Sequence, residues 1–188
     1  MRKLIIKTVS ITVAILFAFL IIFYFALASF SPSILSNFYF RVNNANLTLK
    51  YSLKAYDKSG DIDDLAILCE RSILFDNGDM LITYATILIN QDDYLDFALD
   101  KGEDYNYYIV GSLVQALYQK GERSVATETA INNTGNYSSV NPIRIIISLS
   151  IENGDTLTLQ TIKQHLLSLT NKNQLILHDI SWIEVYSN

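Results

Sequence analysis

Cysteine, histidine and proline are scarce in this chain of 188 residues, which contains one cysteine, two histidines and two prolines. A lone cysteine, Cys69, cannot form an internal disulfide bond, so the hydrophobic core must hold the fold together. Two histidines, His165 and His178, cannot make the usual zinc site unless carboxylates complete it. The low proline content, beside abundant Asn, Lys, Ile, Tyr, Asp and Ser, is typical of a bacterial protein.

Signatures of catalysis and cofactor binding are also missing. The chain has no Gly-x-Ser-x-Gly motif, no phosphate-binding loop and no dinucleotide fingerprint. Cys69 falls on an apolar helical stripe and is interpreted as a small buried residue rather than a nucleophile. We therefore expect no cofactor, no metal ion and no catalytic residue.

Basic residues are few beyond the N-terminus. Residues 8–188 carry eleven basic and nineteen acidic residues, a formal net charge of −8. Nucleic acids and anionic lipid surfaces require clustered Lys and Arg, so this balance disfavours both as partners.

Charged residues are absent altogether from residues 8–40, and the densest apolar part predicts a transmembrane helix at residues 8–30. A helix over residues 9–30 rises about 33 Å, enough to cross a hydrocarbon core of about 30 Å. Lipid around residues 8–30 is thus one expected partner.

The charges on the two sides of this run predict a single-pass topology. Three basic residues precede it and none follows before Arg41, so residues 1–7 are expected in the cytoplasm. Residues 31–43 are then a juxtamembrane linker, in which Pro32 ends or kinks the spanning helix. Residues 44–188 form a domain outside the cytoplasm. Three linker residues are assigned either to the membrane interface or to the first packing contact of the domain: Phe38, Tyr39 and Phe40.

A cleaved secretory signal is the alternative. Ala26-Leu-Ala28 has the small-x-small form of a cleavage site, and cleavage after Ala28 would release a secreted protein. The apolar run is longer than the roughly 7–15 residues of an ordinary signal core, and it reaches the site without a polar spacer. Both features favour an uncleaved anchor.

The rest of the chain shows a repeat of helical length. Short polar breaks interrupt apolar stretches at Gly60, Gln91, Gly121 and Gly154, at intervals of 31, 30 and 33 residues. Each break is followed by an acidic helix start and then by apolar residues at helical spacing. A fixed period of this length is typical of stacked helix-turn-helix units. We predict an all-α fold of about four helical hairpins.

This period resembles tetratricopeptide and Sel1-like repeats over residues 44–170. The small residue at the turn is followed by an alanine, as in Gly60 with Ala66 and Gly121 with Ala126. The resemblance implies a tetratricopeptide-like α-solenoid, in which partners bind a groove lined by the first helix of each pair.

Two segments near the C-terminus need separate assignments. Residues 143–151 are β-branched and partly alternate, which is typical of a strand, whereas Asn141-Pro142 and the period favour a helix. Residues 174–186 are expected to form a capping helix with isoleucines facing inward.

Paired acidic residues suggest a carboxylate-dependent hydrolase of the cell envelope as an alternative function. Asp61, Asp92, Glu122 and Asp155, however, all stand at predicted helix starts. A carboxylate there caps free amides and meets the positive end of the helix dipole, which stabilises the helix by roughly 0.3–1 kcal/mol.

The implied groove predicts a set of binding residues. Fixed distances before each turn select positions on the first helices, and nearby tyrosines add apolar area. The candidate partner-binding residues are Lys50, Lys54, Tyr108, Gln115, Tyr118, Arg144 and Ser148, with Gly111 in the same register. We expect a non-catalytic, membrane-anchored helical-repeat module that binds another envelope or exported protein or peptide. A structural spacer acting through its membrane helix is the remaining alternative.

Overall fold

The computed structural model describes residues 2–102, 104–133, 138 and 140–187, with only the backbone given for residues 2–8. Within these residues the protein is all-helical and contains no strand, which confirms the predicted class. The helices are α1 (Arg2–Phe30), α2 (Pro32–Arg41), α3 (Ala45–Ser59), α4 (Ile62–Leu74), α5 (Gly78–Ile89), α6 (Tyr94–Lys101), α7 (Tyr105–Gln119), α8 (Arg123–Asn132), α9 (Pro142–Glu152), α10 (Thr156–Ser168) and α11 (Gln174–Tyr186).

The chain divides into two compact units. The N-terminal unit is Met1–Arg71 and the C-terminal unit is Ser72–Asn188, so the boundary falls within α4. Each unit is described by itself.

In the N-terminal unit, α1 stops at Phe30 and α2 starts with Pro32 at its first position, as predicted for a break at this proline. Residues 31–43, expected to be a linker, thus contain a helix. The α2 helix packs on α1 and on α3. Ala28, Leu35 and Tyr51 form the buried contact between these three helices.

A buried polar network joins α2, α3 and α4. The Arg71 guanidinium donates hydrogen bonds to the hydroxyls of Ser36 and Ser52 and to the Asn37 side-chain oxygen. The Ser36 hydroxyl also donates to the Thr48 carbonyl oxygen at 3.0 Å. Burial lowers the pKa of Arg71, and these acceptors replace the water that the guanidinium gives up.

In the C-terminal unit, α5 packs on α7, α7 on α9, and α9 on α11. The α8 helix packs on α7, α9 and α10. The core is aliphatic and includes Val110, Leu113 and Ile146, all fully buried.

The predicted turns lie where the period places them. Gly60, Gly121 and Gly154 separate α3 from α4, α7 from α8, and α9 from α10, and all three have positive φ. Only glycine adopts that conformation without a steric penalty, so a glycine here ends one helix and lets the next one start.

Residues 143–151 are helical, which resolves the ambiguity of their sequence in favour of the helix. The Asn141 side chain accepts a hydrogen bond from the Ile143 amide at 3.0 Å, and Pro142 occupies the first helical position. The helical spacing also buries Ile143, Ile146 and Ile147. The helix start signal and this burial together outweigh the preference of β-branched residues for strands.

Candidate functional site

The candidate site is a cavity of about 770 Å³ between α7, α9 and α11. Its wall combines aromatic, polar and charged side chains from all three helices. The wall includes Asp104, Tyr107, Tyr108, Gly111, Gln115, Arg144, Ser148, Glu152, Asp179 and Trp182. This volume is within the range of natural ligand-binding clefts, roughly 300–1,000 Å³.

A glycine of α7 lies against Ile145 of α9 in the cavity wall. A Cβ atom on Gly111 of α7 would lie 2.7 Å from the Ile145 Cδ1 atom of α9. Because a real contact of that length does not occur, any side chain here would displace Ile145. Gly111 therefore allows α7 and α9 to approach closely beneath the cavity.

Four predicted partner-binding residues line this cavity together. Tyr108 and Gln115 come from α7, and Arg144 and Ser148 come from α9. Tyr108 is 42% exposed, so its ring is accessible from solvent. Gln115, Arg144 and Ser148 follow the register that the sequence predicts from the turns, and Tyr108 comes from the neighbouring tyrosine-rich segment.

Tyr118, also predicted to bind a partner, is a core residue that does not line the cavity. It is only 4% exposed, its hydroxyl donates to the Asp155 carboxylate at 3.2 Å, and the Arg123 guanidinium covers its ring. Burial raises the pKa of Tyr118. A substitution at Tyr118 therefore tests the fold rather than the cavity.

Lys50 and Lys54 lie in the other unit, on the exposed surface of α3. The Lys50 ammonium lies 5.9 Å from the centre of the Tyr51 ring. Neither lysine lines the cavity.

Arg144 is already paired within the cavity wall. Its Nε donates to the Asp179 Oδ2 atom of α11 at 2.9 Å, and the Asp179 side chain is only 4% exposed. The other carboxylates of the wall, Asp104 and Glu152, are exposed. Three acidic side chains thus stand against one arginine, and the cavity has a net negative charge.

Trp182, on α11, lines the cavity, although the repeat period does not select it. The indole is 48% exposed on the cavity wall, and its ring centre lies 5.4 Å from that of His178. Residues 174–186 were predicted only as a cap with isoleucines inward, and Ile176, Ile180 and Ile183 are indeed buried. The single tryptophan on the opposite face of that helix was the available signal.

A second, smaller cavity of about 150 Å³ adjoins the first. It lies between the end of α4, the start of α5, and α7, and Ser112 and Gln115 line both cavities. The two cavities therefore meet at Ser112 and Gln115 of α7.

The acidic residues behind the hydrolase alternative precede four different helices, α4, α6, α8 and α10. Asp155 caps α10 by accepting hydrogen bonds from the Thr158 amide at 3.2 Å and the Thr158 hydroxyl at 2.8 Å. Asp61, Asp92, Glu122 and Asp155 are all absent from the cavity wall. In the part of the chain that the structure describes, no three His, Cys, Asp or Glu residues are grouped to hold a metal ion.

The N-terminal helix provides the other functional feature. The segment Val9–Phe30 is long and apolar enough to cross a membrane, and nearly all of it is exposed. A membrane anchor and a signal sequence share this length and composition.

The chain was compared with protein-family models, curated proteins and solved structures. It matches none of them.

Proposed function

We propose that this protein is a membrane-anchored helical-repeat module that binds a peptide segment of another envelope or exported protein. The observation that carries the proposal is the 770 Å³ cavity, which gathers Tyr108, Gln115, Arg144 and Ser148 beside Trp182. Exposed aromatic rings supply binding energy, while amide and hydroxyl groups hydrogen-bond a peptide backbone.

The packing of the helices supports this proposal, which includes a tetratricopeptide-like arrangement. The helices α5, α7, α9 and α11 are successive neighbours in one row, and both cavities open on this row. Stacked hairpins bind extended segments along such a row because each repeat contributes a few side chains.

The charge of the cavity indicates the chemistry of the peptide. The one arginine is held by Asp179, whereas Asp104 and Glu152 are exposed. A peptide with a lysine or arginine complements these carboxylates, and a peptide carboxylate does not. We therefore propose a basic peptide segment rather than a C-terminal carboxylate.

The packing at the end of α1 supports an anchor that is not cleaved. Ala28 is 7% exposed and lies within the helix, in the buried contact with Leu35 and Tyr51. Proteases act on accessible, locally unfolded chain. Cleavage after Ala28 would also remove Tyr24, Leu27 and Ala28 from this cluster. The proposed topology has residues 1–7 in the cytoplasm and the domain outside it.

A photo-crosslinking experiment in native membranes tests the peptide-binding proposal. A benzophenone amino acid replaces Tyr108 in the full-length protein, and adducts are identified by mass spectrometry. The control carries the same residue at Leu157, which is 74% exposed on α10 outside the cavity. The proposal expects a specific polypeptide adduct at Tyr108 that is absent at Leu157.

The variants Glu152→Lys and Trp182→Ala define the contacts. Both are exposed positions of the cavity wall, so neither change disturbs the core. Glu152→Lys should reduce the adduct by repelling a basic peptide, and Trp182→Ala by removing apolar area. Equal adduct yields in the parent and both variants would show that the cavity is not the binding site.

A further inference from the structure

The N-terminal unit folds α2 and α3 back along the last turns of α1. The Tyr51 hydroxyl is hydrogen-bonded to the Tyr24 hydroxyl, and the Lys58 ammonium donates to the Phe30 carbonyl oxygen at 2.7 Å. The α3 helix thus runs parallel to α1, with Tyr51 beside Tyr24 and Lys58 beside Phe30. The Tyr39 ring stacks on Tyr51 at 5.7 Å, so α2 descends from the end of α1 to the level of Tyr24.

The end of α2 and the turn to α3, residues 38–44, therefore reach the level of the apolar part of α1 without covering it. The α3 helix starts six residues before Tyr51. At a rise of 1.5 Å per residue, its first residue lies about 9 Å from the level of Tyr24, toward the N-terminal end of α1. The same rise on α1 leads from Tyr24 back to Ala18.

The exposure of α1 marks where a bilayer can surround it. Every side chain of residues 9–23 is exposed, and coverage by the α2–α3 hairpin starts at Tyr24. Residues 9–23 span about 22 Å, which fills most of a hydrocarbon core of about 30 Å. The outer boundary of the core then falls near Phe23, and residues 38–44 reach below it.

The exposed residues of this turn fit such a position. Phe38 and Val42 are 55% and 56% exposed although they are apolar, and Phe40 is 39% exposed. By the same rise, Lys50 lies near the level of Tyr24, and Lys54 about 6 Å further out. Arg41 has a long side chain that reaches headgroups from a deeper position.

Charge is divided along the chain in the same way. Residues 31–60 carry four basic residues and one acidic residue, a net charge of +3. Residues 61–188 carry seven basic and eighteen acidic residues, a net charge of −11. The chain as a whole is negatively charged, which disfavours anionic lipid as a partner. Residues 31–60, however, form a basic segment, and this segment folds back along the end of α1.

We infer that the α2–α3 turn inserts into the outer leaflet of the membrane that α1 crosses. Phe38, Phe40 and Val42 enter the boundary between headgroups and acyl chains, and Arg41, Lys50 and Lys54 contact anionic headgroups. An interfacial segment of this kind enters by about 5–10 Å, which agrees with the position of the turn below Phe23. The inference rests on the membrane anchor of the proposed function.

Depth-dependent quenching in vesicles tests the inference. Single cysteines replace Phe38 or Val42 in the full-length protein, which is labelled with an environment-sensitive fluorophore and reconstituted with phosphatidylcholine and phosphatidylglycerol. Cys69 is fully buried, and the labelled parent protein measures any background from it. Lipids with a nitroxide close to the headgroup are the quenchers.

Two control positions make the outcomes distinct. Phe17→Cys reports the anchor, because Phe17 is 62% exposed within α1, and Asp57→Cys reports the exposed outer end of α3. The inference expects quenching at Phe17, Phe38 and Val42 and none at Asp57. Quenching at Phe17 without quenching at Phe38 and Val42 would overturn the insertion and leave the anchor intact. An unquenched Phe17 would overturn the anchor and the insertion together.

A charge reversal tests the role of the lysines. Lys50→Glu combined with Lys54→Glu should reduce quenching at Val42 several-fold in vesicles with phosphatidylglycerol and leave it unchanged in pure phosphatidylcholine. Equal quenching of the parent and the double variant in both lipids would overturn the headgroup contact.

Discussion

The Arg144 guanidinium donates through Nε to the Asp179 carboxylate at 2.9 Å and thereby joins α9 to α11 across the wall of the cavity. The arginine is 30% exposed, whereas the aspartate is 4% exposed. The two partners of this salt bridge are therefore not equivalent, because only Arg144 can recover hydration when its partner is removed.

Arg144→Ala should destabilise the protein more than Asp179→Asn. Removal of the arginine leaves a buried carboxylate without its strongest partner, at a cost of roughly 3 kcal/mol, whereas the amide introduced by Asp179→Asn carries no charge. Urea unfolding of both single variants and of the double variant measures the difference. The double variant should be about as stable as Asp179→Asn. If Arg144→Ala is the milder change, Arg144 does not compensate the buried charge of Asp179.

Asp155→Ala should destabilise the C-terminal unit by about 1–2 kcal/mol, because the carboxylate caps α10 and also accepts a hydrogen bond from the Tyr118 hydroxyl. Glu122→Ala is the matched control, since Glu122 occupies the same position at α8 without a side-chain capping bond. It should change stability by less than about 0.5 kcal/mol. Thermal unfolding of the two variants distinguishes these effects.

The contribution of Asp155 should also depend on pH. Burial raises the pKa of this carboxyl, but the hydrogen bonds from Thr158 and Tyr118 outweigh burial and lower it overall. Stability gained from a lowered pKa is present above the unfolded-state value, near 4, and is lost as the pH falls through the folded-state value. The stability difference between the parent and Asp155→Ala should therefore shrink in acid. A constant difference from neutral pH to well below 4 would contradict this assignment.

Cys69 should react slowly with thiol reagents in the folded protein. Burial, with a smaller effect from the neighbouring Glu70, raises the pKa of this thiol to about 12, so the thiolate that reacts is rare at neutral pH. A colorimetric disulfide reagent should label it quickly in denaturant and slowly without it, with glutathione as the control thiol. Rapid labelling under native conditions would show that Cys69 is accessible.

An exchange of the apolar helix separates the binding module from the structural spacer. Residues 9–23 are replaced by an unrelated Leu- and Ala-rich sequence of equal length, and residues 24–30 are kept because the hairpin packs on them. A binding module retains the Tyr108 crosslink after this exchange. Loss of the crosslink, with the protein still in the membrane, would favour a spacer that acts through α1.

The sequence predicts some residues that line the cavity and one residue that lies in the core instead. Counting back from Gly121 and Gly154 selected Gln115, Arg144 and Ser148, which share the cavity, because the period preserves the register of successive first helices. The same count selected Tyr118, which lies in the core. A helix presents several faces to its neighbours, and the spacing in one helix does not say which face its partner covers.

The sequence by itself determined the helices, their turns and the long apolar segment, because these follow from local physics. Asn141 and Pro142 start a helix through their own backbone chemistry, and Gly60 ends one in the same way. Only the tertiary structure decided which side chains meet. Trp182 reaches the cavity wall from α11, which starts 55 residues after the end of α7. The α2–α3 hairpin folds back along the end of α1 where a linker was expected. Such contacts depend on how helices pack, and no short stretch of sequence contains that information.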